Sequence, residues 1–193
     1  GIVHYRNKGS TEVPPDEYDA GNGACMRTLP LALLTLDWDQ SARQAASRAQ
    51  AHITHNNPLS DAGTECVVEL VRHAVLGEPL VTLVRTMADL VARHPEFRYQ
   101  RKQMTQNPSG YIVDTLRVVF QGVYFNDSFE SLLVDVVNRG GDADTTGAIA
   151  GMIAGGYYGP GAIPREWVRK LDPQVRRRCV DQALALVRMG GRA

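Results

Sequence analysis

The sequence predicts an all-α protein with a compact single-domain helical fold, and three observations carry that prediction. Apolar residues recur at a period near 3.6 along most of the chain, as they do in helices that bury one face. No run of alternating apolar and polar residues reads convincingly as a strand. Stop and start signals such as Gly77 with Pro79, Asp127-Ser128 and Asp172-Pro173 fall where one periodic stretch gives way to the next. With 193 residues, 44% of them hydrophobic, the chain is long enough to bury a sizeable core in one domain.

The elements follow in order. Residues 6–20 are polar and rich in turn formers and predict a surface loop. Gly21-Asn22-Gly23 permits positive φ and close approach of a ligand, and a helix is expected from there through Leu29, Leu31, Leu33 and Leu34. Ala42, Ala45, Ala46 and Ala49 predict a helix over Ser41–Thr54, which leaves His55 at its end before Pro58. Ser60 or Asp61 opens the next helix, with Val67, Val68, Val71, Ala74 and Val75 as its stripe and Gly77 as its stop. Pro79–Arg93 predicts another, and Pro95–Gly110 a loop with a short helical piece. Tyr111 stands at the mouth of a helix carried by Ile112, Leu116, Val119, Phe120 and Val123. Asp127-Ser128-Phe129-Glu130 reads as a capping box for a helix through Leu132, Leu133, Val136 and Val137. A short helix near Trp167 and a last one after Asp172-Pro173 complete the chain, with Arg176-Arg177-Arg178 as a solvated face.

Charge and cysteine usage narrow the function. Lys+Arg 21 against Asp+Glu 21 leaves no basic excess, which argues against nucleic acid or a membrane surface as the main partner. Cys25, Cys66 and Cys179 lack zinc-ligand spacing, so a reducing, cytoplasmic compartment is expected. The apolar run around Ala148–Ala154 is far shorter than the ~20 residues a membrane span requires.

The most informative stretch is Gly140-Gly141-Asp142-Ala143-Asp144-Thr145-Thr146, followed by Gly147, Gly151 and Gly155 at every fourth position. Two carboxylates and a hydroxyl on a sharply turning chain form an all-oxygen donor set, which suits Mg²⁺ or Mn²⁺ rather than zinc or copper. Recurring small residues leave one helix face bare, so another backbone can approach it closely. A cation at a helix N-terminus meets the positive end of the dipole, and two carboxylates are few to outweigh it. A turn with an ordinary N-cap explains the same residues. So does the Asp-x-Asp-x-Thr of haloacid-dehalogenase-like phosphatases, matched by Asp142, Asp144 and Thr146, although those proteins place the first Asp directly after a buried strand.

Three blocks together bring in a family resemblance. They are Gly21-Asn22-Gly23-Ala24-Cys25-Met26-Arg27, Thr54-His55-Asn56-Asn57-Pro58, and Tyr111 to Leu116 running on to Gly141–Gly151. In that order they resemble the ADP-ribosylglycohydrolase family, and especially its nitrogen-fixation branch, across nearly the whole chain. The resemblance implies an all-α fold holding two Mn²⁺ or Mg²⁺ ions and hydrolysing the N-glycosidic bond between ADP-ribose and arginine. Its substrate would be ADP-ribosylated dinitrogenase reductase, the nitrogenase iron protein. Asp142, Asp144 and Thr145 become metal ligands, and Asp19 and Asp142 catalytic residues. Gly21, Asn22, Gly23, His55 and Tyr111 line the ADP-ribose cleft. A PII-type signalling protein, with membrane association through it, is implied as regulator. A non-catalytic ADP-ribose-binding or structural member of the same fold is the alternative.

One departure stands out. The family's other metal ligands come from a Thr-Asp-Asp motif that precedes the Gly-Asn-Gly block, and no Thr-Asp-Asp occurs in this chain. The abrupt start at Gly1-Ile2-Val3-His4-Tyr5 fits a C-terminal portion of one such domain spanning residues 1–193. These residues alone are therefore expected to bind Mn²⁺ weakly and to release little ADP-ribose from an ADP-ribosyl-arginine protein. Full activity from the isolated chain would overturn that expectation.

Overall fold

A computed structural model describes residues 2–100 and 104–191. Its helices are α1 (Ile2–Lys8), α2 (Gly23–Met26), α3 (Leu29–Leu34), α4 (Gln40–Ala51), α5 (Pro58–Val75) and α6 (Leu80–Arg93). They continue with α7 (Ile112–Phe125), α8 (Phe129–Asn138), α9 (Ala143–Tyr158), α10 (Arg165–Lys170) and α11 (Pro173–Met189). Short 3₁₀ turns lie at Pro95–Phe97 and Pro160–Ala162, and no strand occurs among the described residues. The all-α expectation holds. Part of the loop expected over 95–110, residues 101–103, lies outside the described residues.

Helix α9 sits at the centre, against α5, α7, α8 and α2. It buries Ile149, Ala150, Met152, Ile153 and Ala154, so it is apolar around much of its circumference and has solvent on little of it. The glycine stripe works differently from the expected backbone contact. A Cβ at Gly147 would lie 3.0 Å from Val137 Cγ2, and one at Gly151 would lie 3.7 Å from Leu133 Cδ1. The bare face therefore receives side chains of α8. Helix α5 packs close to α9 at Gly156, where a Cβ would lie 3.1 Å from that of Ala74. Phe97, Phe120, Leu116 and Met87 are fully buried around this centre.

Several boundaries differ from expectation for local reasons. The helix expected from Gly23 to Leu34 breaks in two, because Pro30 has no N–H to offer the carbonyl of Met26 and instead occupies the first turn of α3. Helix α5 begins at Pro58, since Asn57 Oδ1 accepts from the N–H of both Leu59 and Ser60. The cap of α8 shifts by one residue, with Ser128 accepting from Ser131 N, so Ser131 rather than Glu130 answers it. Residues 2–8 are helical, so the expected loop begins only after Lys8. Helix α11 contacts α3 and buries no residue; Arg176, Arg177 and Arg178 form the expected solvated face.

The loop after α1 is held down along its length. Arg43 pairs with Glu69 and Arg48 with Glu65, which fixes α4 on α5. The corner between those helices then grips the loop: Val13 N and Asp16 N donate to the carbonyls of His52 and Asn56. Asn56 Nδ2 and Asn57 Nδ2 donate to the carbonyls of Val13 and Asp16. His52 adds a bridge, with Nδ1 3.0 Å from Glu12 Oε1 and Nε2 2.9 Å from Asp61 Oδ2.

Burial opposes the charge on His52, but hydrogen bonds and charges from Asp61 and Glu12 outweigh it and raise its pKa above 6.5. A raised folded-state pKa contributes stability that is full below the unfolded value and is lost as pH rises through the folded one. The urea midpoints of the protein and its His52→Gln variant should thus differ most below pH 6.5 and converge at higher pH. A gap independent of pH would mean that the imidazolium does not hold this loop.

Candidate functional site

Three segments far apart in sequence meet through backbone hydrogen bonds. Residues 20–22 run antiparallel to 110–112, joined by Asn22 N to Gly110 O at 2.9 Å and Ile112 N to Ala20 O at 2.9 Å. Residues 107–108 are joined to the stretch before α9 by Asn107 N to Arg139 O and Asp142 N to Pro108 O, both 2.8 Å. The two pairings share the 107–112 segment, so the Gly-Asn-Gly block and the Asp-rich block are held on either side of it. Ser60 Oγ donates to Gly21 O at 2.9 Å and adds the start of α5.

The turn before α9 depends on glycine. Gly140 and Gly141 have φ of +78° and +62°, in the left-handed region. A Cβ on Gly141 would lie 2.2 Å from the carbonyl oxygen of Pro108. The preceding Arg139 is only 3% exposed and is gripped by Asp135 through two guanidinium bonds, at 3.1 and 2.7 Å. Its third bond goes to Gln121 Oε1 on α7. Although burial opposes it, the Arg139 guanidinium and the Asn126 amide hold the Asp135 carboxyl below its ordinary pKa. The end of α8 is thereby fastened to α7, and the chain that leaves it turns directly into Asp142. No strand leads there, so the phosphatase-like reading loses its structural premise.

Asp142 occupies the N-cap position of α9, yet its carboxylate makes no capping bond. Thr146 N and Oγ1 instead bond to the Asp142 carbonyl, at 3.0 and 2.7 Å. The carboxylate Oδ2 accepts from Asn22 Nδ2 at 2.6 Å, a bond across 120 residues of sequence. Asp144 is exposed two residues beyond, while Thr145 is buried with its hydroxyl beside the weakly accepting Met26 Sδ, at 3.6 Å. An ordinary cap would spend the Asp142 oxygens on its own helix, and this turn does not. The donors are all hard oxygens and fit a divalent cation of the Mg²⁺ or Mn²⁺ kind, which takes about six. Among the described residues no group of three or more His, Cys, Asp or Glu could hold such an ion.

His55 and the two glycines of Gly-Asn-Gly explain one another. Neither Gly21 nor Gly23 has positive φ, contrary to the reason first given for them. Their missing side chains make room for the imidazole: a Cβ at Gly21 would lie 2.7 Å from His55 Nε2, and one at Gly23 2.8 Å from its Cε1. The ring is steadied by Thr54 Oγ1, 2.7 Å from Nδ1, and Thr54 in turn accepts from Arg27 Nη2. Burial lowers the pKa of His55, with the Asp19 charge opposing and Arg27 assisting, so the ring is neutral at pH 7. Asp19 is exposed beside the same glycine, with Oδ1 3.4 Å from where the Gly21 Cβ would be. Tyr111, 39% exposed, stands at the start of α7 and pairs with Gly21 through its backbone.

The predicted site residues are thus carried by the loops before α2, α5 and α7 and by the start of α9, with Asn22 joined to Asp142 and His55 packed on Gly21 and Gly23. Sequence reasoning passed over Thr115, fully buried, whose Oγ1 accepts from Asn22 Nδ2 at 2.8 Å. It also passed over Ser60 and Arg139. A Thr on the apolar face of α7 and an Arg four residues after Asp135 were the available signals.

Comparisons with known proteins bear on this surface. The ADP-ribosylglycohydrolase family profile matches residues 3–192. An ADP-ribosyl-[dinitrogen reductase] glycohydrolase of Rhodospirillum rubrum is 42% identical over 191 residues, which are 99% of this chain and 64% of that protein. An ADP-ribosylarginine hydrolase Tri1 of Pseudomonas putida is 29% identical over 81% of this chain and 43% of its own length. A solved structure titled ADP-ribosylglycohydrolase-related protein complex superposes with a TM-score of 0.86 at 33% identity, covering 98% of this chain and 67% of that one. The chain thus spans less than two thirds of the length of these curated relatives.

Gly141→Ala combines left-handed backbone, costing an L residue about 1–2 kcal/mol, with a clash against backbone that has no rotamer to escape through. It should lower stability by more than about 2 kcal/mol in urea unfolding. Gly161→Ala, which meets nothing within 4 Å, should be near neutral under the same conditions.

Proposed function

The chain belongs to the ADP-ribosylglycohydrolase family, and from that we propose that it carries part of the site of a metal-dependent ADP-ribosyl-arginine hydrolase. The observation that bears most of the weight is the Asp142 carboxylate, drawn off its own helix and held beside Asp144, Thr145 and the Gly-Asn-Gly block. The names of the Rhodospirillum and Pseudomonas relatives both point to removal of ADP-ribose, the first from dinitrogen reductase and the second from arginine. ADP-ribosylated dinitrogenase reductase is therefore the proposed substrate, with a PII-type regulator and membrane association through it as the finer part of the same reading. No helix among the described residues is long and apolar enough to cross a membrane.

In this reading Asp142, Asp144 and Thr145 contribute oxygens to a pair of Mn²⁺ or Mg²⁺ ions. An ion of this kind takes about six oxygens, so these three are part of its ligand set. When bound, such a pair offers hydroxyl-binding positions for the ribose and a water of lowered pKa. Asp19 lies exposed at the cleft, where it exchanges a proton with the ribose ring oxygen or the departing guanidine. His55, neutral and packed on Gly21 and Gly23, shapes the wall and adds no charge beside the pyrophosphate. Tyr111 presents an aromatic face at the rim, suited to stack on a base or sugar. In the overall reaction water adds across the glycosidic C–N bond, leaving a hydroxyl on the ribose and a hydrogen on the guanidine.

Release of ADP-ribose from an ADP-ribosyl-arginine protein, measured with and without Mn²⁺ on the full-length protein, tests this. Release should require the metal, and Asp142→Ala should lower it by at least about a hundredfold. ADP-ribose bound tightly, without metal dependence and without release, would instead mark a binding protein on this scaffold.

A further inference from the structure

We infer that Asn22 and Thr115 form a positioning pair that holds the Asp142 carboxylate away from its own helix and toward a divalent cation. The inference rests on the metal-site reading above and concerns how that site is set.

The hydrogen bonds leave one consistent arrangement. Asn22 Nδ2 lies 2.6 Å from Asp142 Oδ2 and 2.8 Å from Thr115 Oγ1. An ionised carboxylate only accepts, so the amide must present its NH₂ side to Asp142. Thr115 Oγ1 donates its one hydrogen to the carbonyl of Ser109 at 3.3 Å and is left to accept the second amide hydrogen. Both amide hydrogens are then committed, with Thr115 fully buried and Asn22 only 6% exposed. The Asn22 backbone is pinned too, through its N–H to Gly110 O. The pair is therefore rigid at both ends.

Its effect on Asp142 follows from what that residue would otherwise do. An Asp at the N-cap ordinarily turns back to accept from the N–H groups of the first turn. Asp142 makes no such bond, and Asn22 is the group that draws its carboxylate away. One oxygen, Oδ2, is thereby held, and the other is left for a ligand. Asn22 was assigned to the ADP-ribose cleft from sequence; the structure assigns its amide nitrogen to Asp142 and Thr115. Neither residue would itself be a ligand of the ion. Both are positioning residues acting through Asp142.

The test is Mn²⁺ affinity of the full-length protein, read from the free-ion signal in electron paramagnetic resonance, with urea midpoints to confirm folding. Asn22→Ala and Thr115→Val should each weaken Mn²⁺ binding about ten- to a hundredfold, the range for groups that orient a metal ligand. Thr115→Ser keeps the hydroxyl and should restore affinity to near that of the parent. In a double-mutant cycle Asn22→Ala with Thr115→Val should be no weaker than the worse single variant, since the two act through one bond to Asp142. Parental affinity in folded Thr115→Val, equal losses in the Val and Ser variants, or fully additive losses would each overturn the pair. Asp142→Ala separates the premises. If it leaves Mn²⁺ affinity unchanged, the metal-site reading falls and the pair with it. If it alone weakens binding, only the pair falls.

Discussion

The single constraint on which the rest depends is the backbone pairing of residues 107–112, with 20–22 on one side and 139–142 on the other. Four main-chain hydrogen bonds hold segments that no one helix could bring together. Helices place side chains well along their own axes, but a site drawn from three loops needs a frame shared by all of them. A short backbone crossing supplies that frame, pairing N–H and C=O groups of residues 20–22 and 139–142 with those of 107–112. The Asn22 to Asp142 bond then completes with side chains what the backbone begins.

This arrangement explains why glycine is concentrated where it is. Gly140 and Gly141 are required by backbone conformation, and Gly141 also by the Pro108 carbonyl that its Cβ would strike. Gly21 and Gly23 are required by neither; they are flat places on which an imidazole rests. Gly147 and Gly151 make a bed for Val137 and Leu133 of α8. The same residue type serves three separate physical ends within one site and its supporting helix. Motif spacing alone treats them alike.

The electrostatics of the site are divided in the same way. Buried Arg139 is matched by Asp135 and Gln121, so its charge is spent on fastening the turn. His55 is kept neutral by burial despite Asp19 nearby. Away from the site, His52 bridges Glu12 and Asp61, whose hydrogen bonds and charges raise its pKa, and it secures the loop that leads to Asp19.

By itself the sequence determined the helical class, most helix spans and the identity of the three blocks, because periodicity and capping are properties of neighbouring residues. It also determined that Asp142, Asp144 and Thr145 offer hard oxygens. Several things were decided only by the tertiary structure. Pro30 split a helix through a hydrogen bond it could not make, and Ser131 rather than Glu130 answered the cap of α8. That Asp142 leaves its own helix, and that Thr115 and Asn22 hold it there, involves residues 27 to 120 positions apart. Such bonds depend on where helices cross, and local sequence carries no record of a crossing until the core that sets it has formed.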